Sequence, residues 1–271
     1  VKAFLKDPNR FIFTLSGVGG AGKTTSIREA IRGKMNVVGA TVSHSAKDVL
    51  SQSLGSLAEC HTLAKALGMT QRINDDGSID FVPVRGSGKV YPVDHADILL
   101  IDECSMIDID TFNIIMARKK PKAKVIFLGD VYQLPPIKGE DDSVTFEYTG
   151  ATLNKPVRYT GPIADLGMIF RNGIDKINNN EASNEHLINE WQDALGNHDR
   201  TSKVNEDGSG YIFMNDINKL VDLGVKIYKE GDSEDLRFIA YKNASTKKIN
   251  TVMRQWIYCD GDADMDIPQF M

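Results

Sequence analysis

Three short stretches carry residue types at spacings that suit phosphate chemistry. The first, Gly17-Val18-Gly19-Gly20-Ala21-Gly22-Lys23-Thr24, fits the pattern G-x-x-x-x-G-K-[ST] and is followed by Thr25. Glycines belong in such a loop because backbone N–H groups must curl around phosphate oxygens, a conformation that side chains obstruct. Lys23 is expected to reach the β- and γ-phosphates of ATP and the Thr24 hydroxyl to bind Mg²⁺. The backbone of Gly17, Gly19, Gly20, Ala21, Gly22 and Thr25 is expected to line the cradle, and a helix opening at Lys23 adds its dipole. The second stretch, Ile98-Leu99-Leu100-Ile101-Asp102-Glu103, is an apolar run ending in two carboxylates. At the carboxyl edge of a sheet, beside the phosphate loop, Asp102 suits the Mg²⁺ shell, and Glu103 suits orientation and deprotonation of an attacking water. The third is Leu128-Gly129-Asp130-Val131-Tyr132-Gln133-Leu134-Pro135-Pro136. The Gln133 amide can donate to a γ-phosphate and accept from a water, and the two prolines stiffen the loop that carries it.

These residues need strands that end, and helices that begin, on one edge. The pattern predicts strands at Phe11–Ser16, Val37–Val42, Ile98–Ile101 and Lys124–Leu128. Helices are predicted at Lys23–Arg32, Ser45–Leu54 and Ile109–Met116, the last capped by Asp108. Strands alternating with helices indicate an α/β fold with a parallel sheet covered on both faces. Within residues 68–95, Gln71–Val84 holds Asp75-Asp76-Gly77 between alternating residues, which signals an inserted β-hairpin. After Gly150, helices are expected near Ile163–Phe170, Glu185–Leu195, Asp216–Lys229 and Ala244–Ile257. A strand is expected at Leu236–Ala240 and a polar surface loop at Ile174–Ser183. Two domains are expected, residues 1–150 and 151–271.

Composition narrows the possibilities. With 41% apolar residues in 271, the chain can bury cores. No apolar run approaches the roughly 18 residues of a membrane span, so a soluble, cytoplasmic protein is expected. Cys60, Cys104 and Cys259 lie far apart and read as reduced, buried thiols, with no zinc spacing around them or around His44 and His61. The net charge of −5 is unevenly placed: residues 1–130 hold 17 Lys and Arg against 14 Asp and Glu, and the remainder 15 against 23. A polyanion would therefore prefer the first half. The basic run Arg118, Lys119, Lys120, Lys122 and Lys124 follows a helix, where cations are favoured without any ligand, and a nucleic-acid contact is the less favoured reading of it. Trp191 and Trp256 read as core residues.

Taken together, GVGGAGKTT, IDECSM and GDVYQLPP resemble motifs I, II and III of superfamily 1 helicases, in particular the 5′-to-3′ branch typified by RecD and the bacteriophage Dda helicase. Thr41 to Lys47 resembles motif Ia, with Ser43 at the position that touches the DNA backbone and His44 beside it. Cys60-His61-Thr62-Leu63 resembles motif Ib through His61. Leu153 to Arg158 is similar to motif IV, whose arginine reaches the γ-phosphate, and Arg171-Asn172-Gly173 fits the segment after it. Val42 and Glu59 depart from the usual proline and threonine. Tyr241, Asn250 and Arg254 fit the opening of a second motor domain. The resemblance implies a P-loop NTPase of RecA-like fold with a partial second RecA-like domain and ATP at their junction. It also implies a helicase motor that couples hydrolysis of Mg-ATP to movement on single-stranded DNA and unwinding at a fork. RNA is a less favoured substrate, and replication or recombination proteins are possible partners. The hairpin takes the place of a strand-separating pin, with Phe81 as its aromatic. No Gln-Gly pair marks motif V, and motif VI is missing, so the chain is expected to be cut short at both ends. If the source is a bacteriophage, the compartment is the host cytoplasm.

Overall fold

The computed structural model describes residues 1–73, 79–84, 88–137, 142–158, 160–179, 183, 185, 189, 203–212, 214, 216–231, 236–240 and 242–259. Strands β1 (Ile12–Gly17), β2 (Val37–Thr41), β3 (Glu59–Thr62), β6 (Ile98–Ile101), β7 (Lys124–Gly129) and β8 (Thr149–Leu153) form one sheet in the order β3-β2-β6-β7-β1-β8. Every pairing in it is parallel. Two further strands, β4 (Met69–Ile73) and β5 (Ile79–Pro83), form a separate antiparallel ribbon at the expected hairpin. The turn Asp75-Asp76-Gly77 lies outside the described residues.

Helices cover both faces, which explains why β6 is apolar at every position. Leu99 and Ile101, with Val125 and Phe127, pack against α4 (Leu63–Ala66), α5 (Pro92–His95) and α6 (Ile109–Arg118) through Leu63, Val93, Phe112 and Ile115. Ile98 and Leu100, with Ile126 and Leu128, face the other way onto α2 (Lys23–Ile31) and α3 (His44–Leu54), meeting Ile27, Ile31, Leu50 and Leu54. The short α1 (Lys2–Lys6) closes this second core with Phe4, whose ring lies 5.1 Å from that of Phe13. Asp108 caps α6 by accepting from the Thr111 N–H at 2.7 Å, as the sequence indicates. This is the α/β fold of a P-loop NTPase.

Strands β3 and β8 carry no apolar run, and both are edges. Thr149-Gly150-Ala151-Thr152 is exposed, and Gly150 is required because a Cβ there would stand 2.1 Å from the Phe13 ring. Because β8 pairs with β1, the expected boundary at residues 150/151 falls inside a strand of the first sheet. The compact units are Val1–Trp191 and Gln192–Met271. Residues 174–178, expected as loop, continue α7 (Pro162–Asn178), since Ile174 and Ile177 keep its apolar spacing.

The second unit contains a short ribbon, β9 (Lys203–Val204) with β10 (Gly210–Tyr211), and helices α8 (Ile217–Glu230) and α9 (Asn243–Cys259). The helices share a core of Val221, Val225, Ile249 and Met253. Leu236–Ala240 is not a strand. Its alternation arises because Leu236 and Phe238 pack on these helices, where Phe238 lies so close to Gly224 that a Cβ there would be 2.5 Å from the ring. Trp256 is 41% exposed and outside this core, while Trp191, Tyr241 and most of Glu185–Leu195 fall outside the described residues. Cys104 and Cys259 are buried and in no disulfide, but Cys60 is only half-buried. Among the described residues no helix is long and apolar enough to cross a membrane.

The basic run is largely consumed in structure. Arg118 donates to the Leu67 carbonyl at 2.6 Å, pairs with Asp94 at 3.2 Å and lies over the Tyr91 ring at 4.9 Å. Lys120 bonds the His95 carbonyl and Asp97, and Lys124 donates to the carbonyls of Asp7 and Arg10. Arg118→Met should therefore cost roughly 1–3 kcal/mol of stability in a denaturant melt, the loss of a partly buried, charge-assisted bond. Single-strand affinity should not change, and a selective loss of affinity would restore the nucleic-acid reading of this run.

Candidate nucleotide-binding and hydrolysis site

Register brings the three motifs to one edge. Ser16 pairs with Gly129 and Ile101 with Phe127, so β1, β6 and β7 deliver Gly17, Asp102 and Asp130 to neighbouring strand ends. Beyond β1 the chain turns through the phosphate-loop sequence into α2, whose N-cap Gly22 is left-handed at φ +86° and supplies no side-chain cap. The first N–H groups of α2, like those of any helix, have no intrahelical partner, and here no side chain caps them, the arrangement that receives an anion.

Lys23 folds back into that mouth, its Nζ donating to the carbonyls of Gly17 at 2.6 Å and Val18 at 3.3 Å. Burial lowers its pKa, against the opposing pull of Asp130, Asp102 and Glu103. Asp102 and Glu103 are raised in turn: Asp102 by burial, and Glu103 by burial and then by the Asp102 charge. Thr24 is half-buried and Thr25 exposed. A hydroxyl and a carboxylate beside a phosphate cradle are hard oxygen donors that fit Mg²⁺, which takes few protein ligands when phosphates complete its shell. No group of three or more His, Cys, Asp or Glu side chains that could hold a metal by themselves occurs among the described residues. Glu103 is one of two non-glycine residues with positive φ among those described, at +58°, and its N–H donates to Asp102 Oδ1 at 2.9 Å. Such a backbone at a candidate catalytic position is stored strain.

The segment expected to carry an arginine braces the loop from outside. Leu153 O accepts from the Val18 N–H at 3.0 Å, and Gly20 O accepts from Val157 and Arg158 at 2.9 and 3.1 Å. The Arg158 and Gln133 side chains are exposed. Two residues with no role assigned from sequence join the site: Asp130 pairs with Arg171 at 2.7 Å, and both are nearly buried. Asp130 ends an apolar strand just as Asp102 does, and that shared pattern was the available signal. Arg171, 41 residues away on a helix, lies in the Arg171-Asn172-Gly173 segment that the resemblance covers, but nothing in the sequence pointed to Asp130 as its partner.

The candidate nucleic-acid residues are dispersed. Ser43 follows β2, and its hydroxyl caps α3 by accepting from Ala46 N at 3.2 Å, with Ser45 Oγ also at 3.2 Å. His44 is exposed at the start of α3. His61 is 7% exposed and its Nε2 lies 2.7 Å from Glu59 Oε1, so the ring is engaged within its own strand. Phe81, opposite Gln71 on the ribbon, is 48% exposed and in no core cluster.

Residues 1–189 match the AAA domain family. The chain is 25% identical over 262 residues to the ATP-dependent DNA helicase dda of Enterobacteria phage T4, covering 90% of this chain and 52% of that protein. It is 52% identical over 42 residues to the RecBCD enzyme subunit RecD of Buchnera aphidicola subsp. Schizaphis graminum, covering 16% of this chain and 7% of that one. Among solved structures, Bacteroides sp Pif1 in complex with ADP-AlF4 aligns with a TM-score of 0.48 at 18% identity, covering 92% of this chain and 54% of that chain. The chain thus spans about half the length of the phage relative. With its phosphate loop, paired carboxylates and 189 matched residues, the chain belongs to the AAA domain family.

Proposed function

We propose that this chain is the ATP-hydrolysing motor of a DNA helicase, coupling Mg-ATP hydrolysis to movement on single-stranded DNA and opening of a duplex fork. The observation that carries the reading is Lys23 in the mouth of a glycine loop with Asp102, Glu103 and Asp130 around it. Likeness to a phage DNA helicase over 90% of the chain supplies the substrate class. Thr24 and Asp102 would hold Mg²⁺, which when bound neutralises charge on the β- and γ-phosphate oxygens. Lys23 exchanges the loop carbonyls for phosphate oxygens. Glu103 orients the attacking water and takes its proton on a carboxylate oxygen, a task suited to a carboxyl whose pKa burial has raised. Gln133 would touch the same water and the γ-phosphate, and Arg158 would add positive charge as the phosphoryl group transfers. Ser43, His44 and His61 would contact the strand, His61 only after turning from Glu59.

Titration with a fluorescent ATP analogue, followed by hydrolysis assays with and without single-stranded DNA or RNA, tests the reading. Mg-dependent binding and stimulation by DNA above RNA are expected. Absence of Mg-ATP binding would overturn the motor assignment, and stimulation by RNA alone would overturn the substrate.

The ribbon is proposed as the strand-separating pin. An exposed ring at Phe81 can stack on a base, an interaction worth roughly 1–3 kcal/mol. In a protein competent to unwind, Phe81→Ala should slow fork opening severalfold while DNA-stimulated hydrolysis and melting temperature stay near wild type. A large fall in melting temperature would withdraw the pin.

A further inference from the structure

Helix α7 is long and amphipathic, yet Gly173 is its only buried residue, and neither core cluster of the first unit includes any part of it. Its attachment to the loop after β7 is polar. Arg171 Nη1 reaches both Asp130 oxygens, at 2.7 and 3.0 Å, and the guanidinium lies 3.8 Å from the centre of the Tyr132 ring. The Tyr132 hydroxyl donates to Asp175, one turn further along the helix. Asp130 also braces the loop from within: its carboxylate accepts from the Tyr132 N–H at 3.3 Å and its carbonyl from the Gln133 N–H at 3.0 Å. Two cavities, of about 490 and 280 Å³, both have Tyr132, Met168 and Arg171 in their walls, so open space adjoins this contact where an apolar seam would otherwise lie.

The backbone at residues 130–133 therefore takes its conformation from Asp130, and Asp130 is held by Arg171. Gln133 has an exposed side chain, so the placement of its amide depends on that backbone. We propose that Arg171 is a positioning residue for nucleotide hydrolysis, clamping the Asp130–Gln133 turn so that the Gln133 amide stands where the attacking water and γ-phosphate meet. The proposal rests on the Mg-ATP reading above. Lysine cannot replace arginine here, because a single ammonium reproduces neither the planar fork on the carboxylate nor the stack on the tyrosine.

Removing Arg171 alone leaves a carboxylate that is 6% exposed without its cation, which is destabilising whatever the role. The test therefore uses Arg171→Lys and the double variant Asp130→Asn/Arg171→Met, in which no charge is stranded. Amide exchange of residues 131–134, affinity for a fluorescent Mg-ADP analogue, melting temperature and Mg-ATP turnover are measured in the full 271-residue chain. For Arg171→Lys, which leaves Asp130 in place, Mg-ADP affinity is expected within about twofold of wild type with little change in KM, and for both variants turnover at saturating Mg-ATP falls by about tenfold or more. Exchange of residues 131–134 is expected to accelerate by about tenfold, with β1 and β7 still protected. The double variant should also melt above Arg171→Met alone. Wild-type loop exchange or wild-type turnover in the double variant would overturn the proposal, leaving the pair as simple charge compensation. Failure of the wild-type chain to bind Mg-ATP would instead overturn the motor reading, and the exchange measurement would still decide whether Arg171 clamps the loop.

Discussion

Glu103→Gln should leave Mg-ATP binding within about twofold of wild type while lowering hydrolysis by roughly 10² to 10⁴, the range contributed by a positioned general base. Lys23→Ala should do the opposite first, abolishing tight binding before chemistry can be measured. The contrast follows from what each side chain can touch. Lys23 occupies the loop mouth itself, 2.6 Å from the Gly17 carbonyl, where the phosphates must sit. Glu103 stands beyond Asp102 at the end of β6, and its amide replacement keeps the shape and the Asp102-bonded backbone while losing the ability to accept a proton. Titration of both variants with a fluorescent nucleotide, alongside single-turnover hydrolysis, separates the roles. Equal loss of nucleotide affinity in the two would falsify the assignment.

The resting position of Lys23 adds a reason to expect coupling between binding and loop shape. Its ammonium is held by two loop carbonyls and three nearby carboxylates, so incoming phosphate has to displace the carbonyls and share the lysine with Asp130. Asp130 is meanwhile clamped to Arg171. A change at the phosphate thus reaches the turn that carries Gln133 through the charge interaction of Lys23 with Asp130 and then through the Asp130–Arg171 ion pair, of which the second is a strong, directional contact.

How much of this could be read from sequence depends on the range of the interaction. Ile98–Ile101 was legible because burial on both faces demands four apolar residues in succession, and the structure returns the same bounds. Lys23–Ile31 and Asp108-capped α6 were legible because caps and apolar spacing are local. Strand β8 was not, because Thr149-Gly150-Ala151-Thr152 is an edge whose place is set by β1, more than 130 residues earlier. Leu236–Ala240 misled for the complementary reason: alternation reports which side chains are covered, and here helices cover them, with no partner strand among the described residues. At the site, Lys23, Asp102 and Glu103 were legible as contiguous patterns beside strand ends. The Asp130–Arg171 pair depends on a helix docking by tertiary contact alone, and His61 turned inward because Glu59 offers its ring nitrogen a partner within the same strand.

That long-range join between β1 and β8 makes Gly17→Ala the substitution expected to damage both stability and binding. A Cβ at Gly17 would lie 2.5 Å from the Leu153 carbonyl oxygen and 2.9 Å from Leu153 N and Cβ, at φ +153°. Two of those three atoms are backbone, so no rotamer change relieves the collision. Either β8 must draw away from β1 or the phosphate loop must rotate. Moving β8 stretches the Val18 to Leu153 bond and, through the residues that follow, the two bonds that Val157 and Arg158 make to Gly20. Rotation of the loop misdirects the N–H groups that receive phosphate. Overpacking and backbone strain together predict a loss of about 2–4 kcal/mol, read from a denaturant melt. Mg-ATP affinity should fall by about tenfold or more, since the cradle has to be re-formed out of the energy of binding. Gly33→Ala is the matched control: its φ is +76° and no atom lies within 4 Å of the added Cβ. It should therefore cost only the left-handed penalty of about 1–2 kcal/mol and leave nucleotide affinity unchanged. If Gly17→Ala melted and bound like wild type, β8 would not brace the phosphate loop, and the close approach of Leu153 would have no consequence for the site.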